Sequence, residues 1–263
     1  MSADTPTYPG SSVGKLAARP MIDRPERTAL AVIAVHNLVQ NQLLNQRGYV
    51  AGNLAVSAIL VGVGRSAGLG WDDMGLQPNR LRAGLRTGAG ASVAAVIAGL
   101  AALAGPRARP YLRDERARVP RTEIWRRALI RFPMGTALFE EVAFRGVLPA
   151  LFGRTRRPVV ADVISAGVFT LWHFIPTSRA LAGNPLHGRL TASRRVAAVV
   201  GGSAVAGGFG LVFSWMRRRS DSVAAPWLAH ASLNTVSFLA GVVAHRRRST
   251  AADAQWGTSP ISK

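Results

Sequence analysis

The sequence predicts an all-α protein, a polytopic bundle of about seven to eight transmembrane helices. Three observations carry that expectation. Hydrophobic residues make up 48% of the 263 residues although the net charge is +20. Apolar runs recur at the length a bilayer requires, about 17–25 residues. The arginines cluster between those runs instead of interleaving with aromatics on one face. That is how charges flank membrane spans, so the lipid bilayer, and no nucleic acid, is the expected partner.

The runs lie near 28–44, 49–64, 88–105, 128–152, 159–175, 196–216 and 223–244. Residues 1–27, polar and rich in Ser, Pro and Arg, read as a disordered tail, not a cleavable signal peptide. A single transmembrane domain is expected over 28–245, with its chemical core about 128–244 and a C-terminal tail over 246–263. The first run is unusual, because His36, Asn37, Gln40, Asn41 and Asn45 form a polar stripe at helical spacing. Such a stripe faces other helices or a wet cavity, or else marks a helix lying in the membrane surface. The third and sixth runs are dense in small residues: Gly88, Gly90, Ala91, Ala94, Ala95, Ala98 and Gly99, then Gly201, Gly202, Ser203, Ala206, Gly207 and Gly210. Small residues let helix backbones approach closely in lipid. The 201–210 stretch follows no strand and carries no Lys-Ser/Thr, so it is no nucleotide loop. Between runs three and four, residues 106–127 form a polar insert with eight arginines and three acids, read as a surface helix. Arginines divide almost evenly between the two sides of a seven-span topology, so charge does not orient the chain, and an eighth span stays open.

The absence of cysteine excludes disulfides, thiolate metal sites and a cysteine nucleophile. The Ala-, Arg- and Gly-heavy vocabulary suggests a bacterial genome, hence an integral protein of the bacterial cell membrane.

The chemistry concentrates in the fourth run, at Phe139-Glu140-Glu141-Val142-Ala143-Phe144-Arg145-Gly146. Each charge at a helix centre costs about 2.5–3.5 kcal/mol by insertion data, so three together must be paired, wetted or used. Glu141 and Arg145, four apart, share a helix face and can pair. Glu140 points about 100° away and is left for another purpose. In the fifth run Phe169 and His173 share a face, as do His230 and Asn234 in the seventh. One Glu, two His and one Asn from three helices suit hydrolysis: a carboxylate and an imidazole activate water, while a second imidazole and an amide donate to the oxyanion. Glu140, His173 and His230 could instead hold a divalent metal such as zinc with an open position. The residues alone leave hydrolysis and an ion or proton pathway both open.

Glu140-Glu141-x-x-x-Arg145, Phe169-x-x-x-His173 and His230-x-x-x-Asn234 together resemble the three-motif signature of the CPBP intramembrane proteases. That family includes type II CAAX prenyl endopeptidases and the abortive-infection and bacteriocin-processing proteins. The motifs cover about 139–235. The resemblance implies an all-helical membrane bundle with a cavity reached from one side. It implies that Glu140 and His173 activate water, that His230 and Asn234 stabilise the oxyanion, and that Glu141, Arg145 and Phe169 support the site. It leaves a metalloprotease and a glutamate protease both open, so the cofactor is a divalent metal or none. The expected substrate is a peptide or a membrane-protein terminus. The alternatives are a non-catalytic scaffold or immunity-type protein on the same fold, and an ion- or proton-coupled transporter. No His-Glu-x-x-His, Gly-x-Ser-Gly or Gly-x-Gly-Asp motif of other intramembrane proteases is present.

Overall fold

The computed structural model describes residues 23–44, 48–105, 112, 117–184 and 187–256, with side chains as far as Arg246. The expectations for residues 1–22, for Asn45, for residues 106–111 and 113–116 of the insert and for the chain beyond Trp256 lie outside these residues. The described residues contain helices and no strand. They are α1 (Arg24–Gln42), α2 (Gly48–Ser66), α3 (Leu81–Ala104), a continuous helical rod α4 (121–153), α5 (Pro158–Trp172), α6 (Phe174–Ala182), α7 (Ala192–Ser220) and α8 (Ala224–Trp256). Five segments are long and apolar enough to cross a membrane: Gly48–Ser66, Pro78–Ala104, Pro158–Ala182, Ala192–Ser220 and Ala224–Arg246. The first and fourth predicted runs are helical but fall outside that set, one for its polar stripe and the other for its charges.

Helix α1 starts a turn before its apolar run because Asp23 and Glu26 form a capping box. Glu26 N–H donates to Asp23 Oδ1 and Asp23 N–H donates to Glu26 Oε2, each at 3.1 Å. Arg154 and Arg156, just after the rod, then bind Asp23 (3.0 Å) and Glu26 (2.7 Å). At this same end of the bundle Arg217 donates to the carbonyls of Asp72 and Asp73, Arg218 pairs with Asp162, and Val223 N–H donates to Gly75 O. The starts of α1, α5 and α8 therefore meet the ends of α4 and α7 and the turn after α2, and successive long segments run in alternating directions.

The second half of α1 turns polar side chains inward and apolar ones outward. The inward positions of the helix are Ala29, Ile33, His36 and Gln40, while Val35, Leu38 and Leu43 are exposed. That arrangement fits a helix among helices in lipid rather than one lying on the membrane surface with its polar side to water.

The small-residue faces work as packing surfaces at some positions only. A Cβ on Gly88 of α3 would stand 2.7 Å from Ala225 O and 3.0 Å from Leu228 Cβ of α8. On α7, a Cβ at Gly202 would lie 2.8 Å from Thr177 Cγ2, and one at Gly207 would fall on Thr170 Oγ1. Gly90 and Gly201 face open space. Gly207→Val is accordingly expected to destabilise the detergent-solubilised protein by about 1–3 kcal/mol, read by thermal melting, with Gly201→Val near neutral.

The rod α4 is the axis of the molecule. Residues 139 to 148 are buried without interruption, so this part of the rod is enclosed on all sides. Phe139, Phe144, Val147, Leu148, Leu151 and Phe152 share one apolar cluster with Leu60 of α2 and Phe169 and Trp172 of α5. Most of the rod is wound as π-helix, over Arg127–Ala137 and Val142–Val147, and Leu138–Glu141 is the α-helical piece between them. Pro133 has no N–H to return to Ala128 O five residues back, and Thr235 of α8 supplies a hydroxyl donor there at 3.2 Å.

Candidate active site

The short α-helical piece Leu138–Glu141 carries both carboxylates to the middle of the bundle. Glu141 and Arg145 pair at 3.1 Å with side chains 0% and 1% exposed, as their four-residue spacing predicts. The Arg145 guanidinium carbon lies 4.0 Å over the Phe169 ring and 5.3 Å from that of Phe213. Its charge is thus held by one carboxylate and two aromatic faces. Gly210 leaves the room, since a Cβ there would stand 3.2 Å from Arg145 Nη2.

Glu140 turns away from this pair, as expected. Its Oε1 accepts the Trp172 indole N–H at 3.0 Å. Its Oε2 is buried without a hydrogen-bond partner and lies 3.9 Å from His173 Nε2 and 3.7 Å from His230 Nε2. The two imidazoles are fixed from behind. His173 Nδ1 stands 2.9 Å from Phe169 O, an acceptor only, so Nδ1 carries the proton and Nε2 presents a lone pair. His230 Nδ1 lies 2.7 Å from Glu141 Oε1, and its ring stacks on Phe213 at 5.3 Å. With Glu141 ionised, that contact likewise leaves the Nε2 lone pair facing Glu140. Three electron-pair donors from α4, α5 and α8 converge with no hydrogen between them. A water at their centre has two protons to give and three acceptors to receive them.

His173 occupies the break between α5 and α6, with its side chain 20% exposed, so it is the side of the cluster closest to the exterior. Asn234 lies one turn beyond His230 on α8, half-buried and with no side-chain hydrogen bond among the described residues. Trp172 and Phe213 are site residues the sequence reading passed over. A tryptophan in an apolar run needs an acceptor for its N–H, and that requirement pointed towards Glu140.

The donor set Glu140, His173 and His230 is chemically suited to zinc, yet its spacing is wide for one. Ligand atoms about 2.0–2.1 Å from a tetrahedral zinc stand roughly 3.3 Å apart, closer than the distances above. Among the described residues no group of three His, Asp or Glu side chains is arranged to hold a metal ion.

This geometry lies within one recognisable segment. Residues 123–236 match the family model of the type II CAAX prenyl endopeptidase Rce1-like proteins. The Rce1-like segment holds every candidate site residue, from Glu140 to Asn234, and leaves α1, α2 and α3 outside it. At family level the match supports a CAAX-type intramembrane protease, and with the five apolar helices it indicates an integral membrane protein. No curated protein and no solved structure matches the chain.

Proposed function

We propose that the protein is an intramembrane endopeptidase that hydrolyses a peptide bond near the membrane of a bacterial cell. The observation that carries this reading is the unpartnered Glu140 Oε2 between the Nε2 atoms of His173 and His230. Glu140 takes a proton from a water lodged there, and His173 Nε2 accepts the water's other hydrogen and orients it. The hydroxide equivalent adds to the scissile carbonyl, and the proton on Glu140 passes to the leaving amine. Trp172 N–H keeps Oε1 occupied, so that Oε2 is the oxygen that acts.

His230 and Asn234 stabilise the oxyanion. For His230 this requires a second ring proton, taken up at Nε2 from solvent as the substrate enters, because Nδ1 already faces Glu141 and only Nε2 is free to donate. Glu141 at 2.7 Å stabilises that imidazolium. Glu141 in turn is neutralised by Arg145, which makes the pair a support for the site and not a participant. No step in this scheme passes through a metal.

The substrate is a peptide or a membrane-protein terminus. The test is a comparison of terminal peptides from cells that make the protein and cells that lack it. At least one new terminus is expected to disappear with the protein, and identical termini would sink the protease reading. The same converged titratable groups also suit a proton relay. That second reading requires pH-driven flux through the purified protein in liposomes.

A further inference from the structure

We infer that Asn37, on α1 and outside the Rce1-like segment, is a positioning residue for the site, acting through the backbone carbonyl of Trp172. The inference rests on the hydrolase reading for its effect on turnover, but not for its structural content.

Pro176 lies four residues after Trp172, in the first turn of α6. In an uninterrupted helix the N–H of residue 176 would bond to Trp172 O, four residues back. Proline has no N–H, so that carbonyl is orphaned at the very break that sets His173. Asn37 Nδ2 donates to Trp172 O at 3.3 Å. The amide of Asn37 is itself held, since Asn41 Nδ2 donates to Asn37 Oδ1 at 2.7 Å and to Asn37 O at 2.8 Å. With Oδ1 engaged as acceptor, the Nδ2 end faces α5. The neighbouring His36 adds a face, its ring lying 6.2 Å from that of Trp172 at a 28° tilt and 5.0 Å from Phe139. His36 is fixed by Asn53 of α2.

The polar stripe of α1 therefore replaces, from a separate helix, the hydrogen bond that Pro176 removes. Two consequences meet at Glu140. The Trp172 backbone is held where its indole N–H reaches Oε1, and the next residue, His173, keeps its Nε2 towards Oε2. An α1 that lost this bond would leave the Trp172–His173 peptide free to turn, and both contacts with it.

Pro176 gives the inference a specific test. Restoring an N–H at position 176 should make Asn37 dispensable. Two measurements are made on the full-length protein in detergent. One is the fluorine NMR resonance of 5-fluorotryptophan at Trp172, assigned by its loss in Trp172→Phe. The other is hydrolysis of a fluorogenic peptide built on the terminus found by the cell comparison. Asn37→Leu is expected to shift or split the Trp172 resonance. It should lower kcat about tenfold with KM changed less than about twofold, the pattern of an interaction that matters only in the transition state. In Asn37→Leu/Pro176→Ala the single resonance should return and kcat should recover to within about twofold of Pro176→Ala alone, a coupling that unlinked sites do not show. If Asn37→Leu fails to fold, Asn37→Asp keeps the size and the acceptor for Asn41 but removes the donor, and the same rescue is expected. An unchanged resonance in the Asn37 variants, or losses that Pro176→Ala does not repair, overturns the inference. If the wild-type protein hydrolyses nothing, the protease reading falls, and the resonance alone decides the role of Asn37.

Discussion

Glu140→Gln is expected to lower kcat by about 10²–10⁴ while the protein melts at the same temperature or higher. Glutamine is the same size, and its oxygen still accepts the Trp172 N–H that Glu140 Oε1 accepts at 3.0 Å. Its NH₂ group replaces Oε2, the atom that is buried without a partner, and can donate to the Nε2 lone pairs of His173 and His230. The substitution thus removes the base and relieves three acceptors that face one another, which is the usual trade between activity and stability at a working site. Turnover of the fluorogenic peptide, together with thermal melting in detergent, measures both parts. Residual activity within tenfold of the wild type would remove Glu140 from the role of base. A marked drop in melting temperature would make it a structural residue.

Arg145→Leu should act in the opposite sense, on the fold before the chemistry. It leaves Glu141, 0% exposed, without its cationic partner, and breaking a buried pair in this way costs about 3–5 kcal/mol. The variant is expected to melt far earlier and to accumulate poorly in membranes. Glu141→Gln/Arg145→Met should regain most of that loss, because replacing both members removes the stranded charge. The glutamine oxygen can still accept from His230 Nδ1, so the imidazole keeps its orientation. A single Arg145→Leu variant that melts normally but is inactive would instead place the guanidinium in the reaction.

Much of the architecture was legible from run length alone. All seven predicted runs are helical, although only five helical segments among the described residues are long and apolar enough to cross a membrane. The Glu141–Arg145 pair and the separate direction of Glu140 followed from helical spacing. Convergence did not follow, because no periodicity within one helix reports its distance from another. The chemistry of Glu140, His173 and His230 and the resemblance of three motifs suggested that they meet. Other features are local to the sequence. Asp23-Arg24-Pro25-Glu26 is a capping box, and it explains why α1 begins before its apolar residues do. Pro133 and Pro176 each leave a carbonyl unserved, and both are met by side chains from other helices, Thr235 and Asn37. Which glycines face a neighbour was not legible: Gly207 does and Gly201 does not, although both sit in the same small-residue run. The π-helical winding around Leu138–Glu141 had no signal beyond Pro133.

The inward-facing polar groups in the second half of α1 bear on how the protein is made. A segment with amides on its inner side and valine and leucine on its outer side is a poor passenger for the insertion machinery while it is alone. Only when α2 emerges from the ribosome does His36 gain Asn53, and only when α5 follows does Asn37 gain its carbonyl. Stalled nascent chains ending after α1 should therefore be stripped from membranes by alkali. Chains ending after α2 should begin to resist, and those that include α5 should stay.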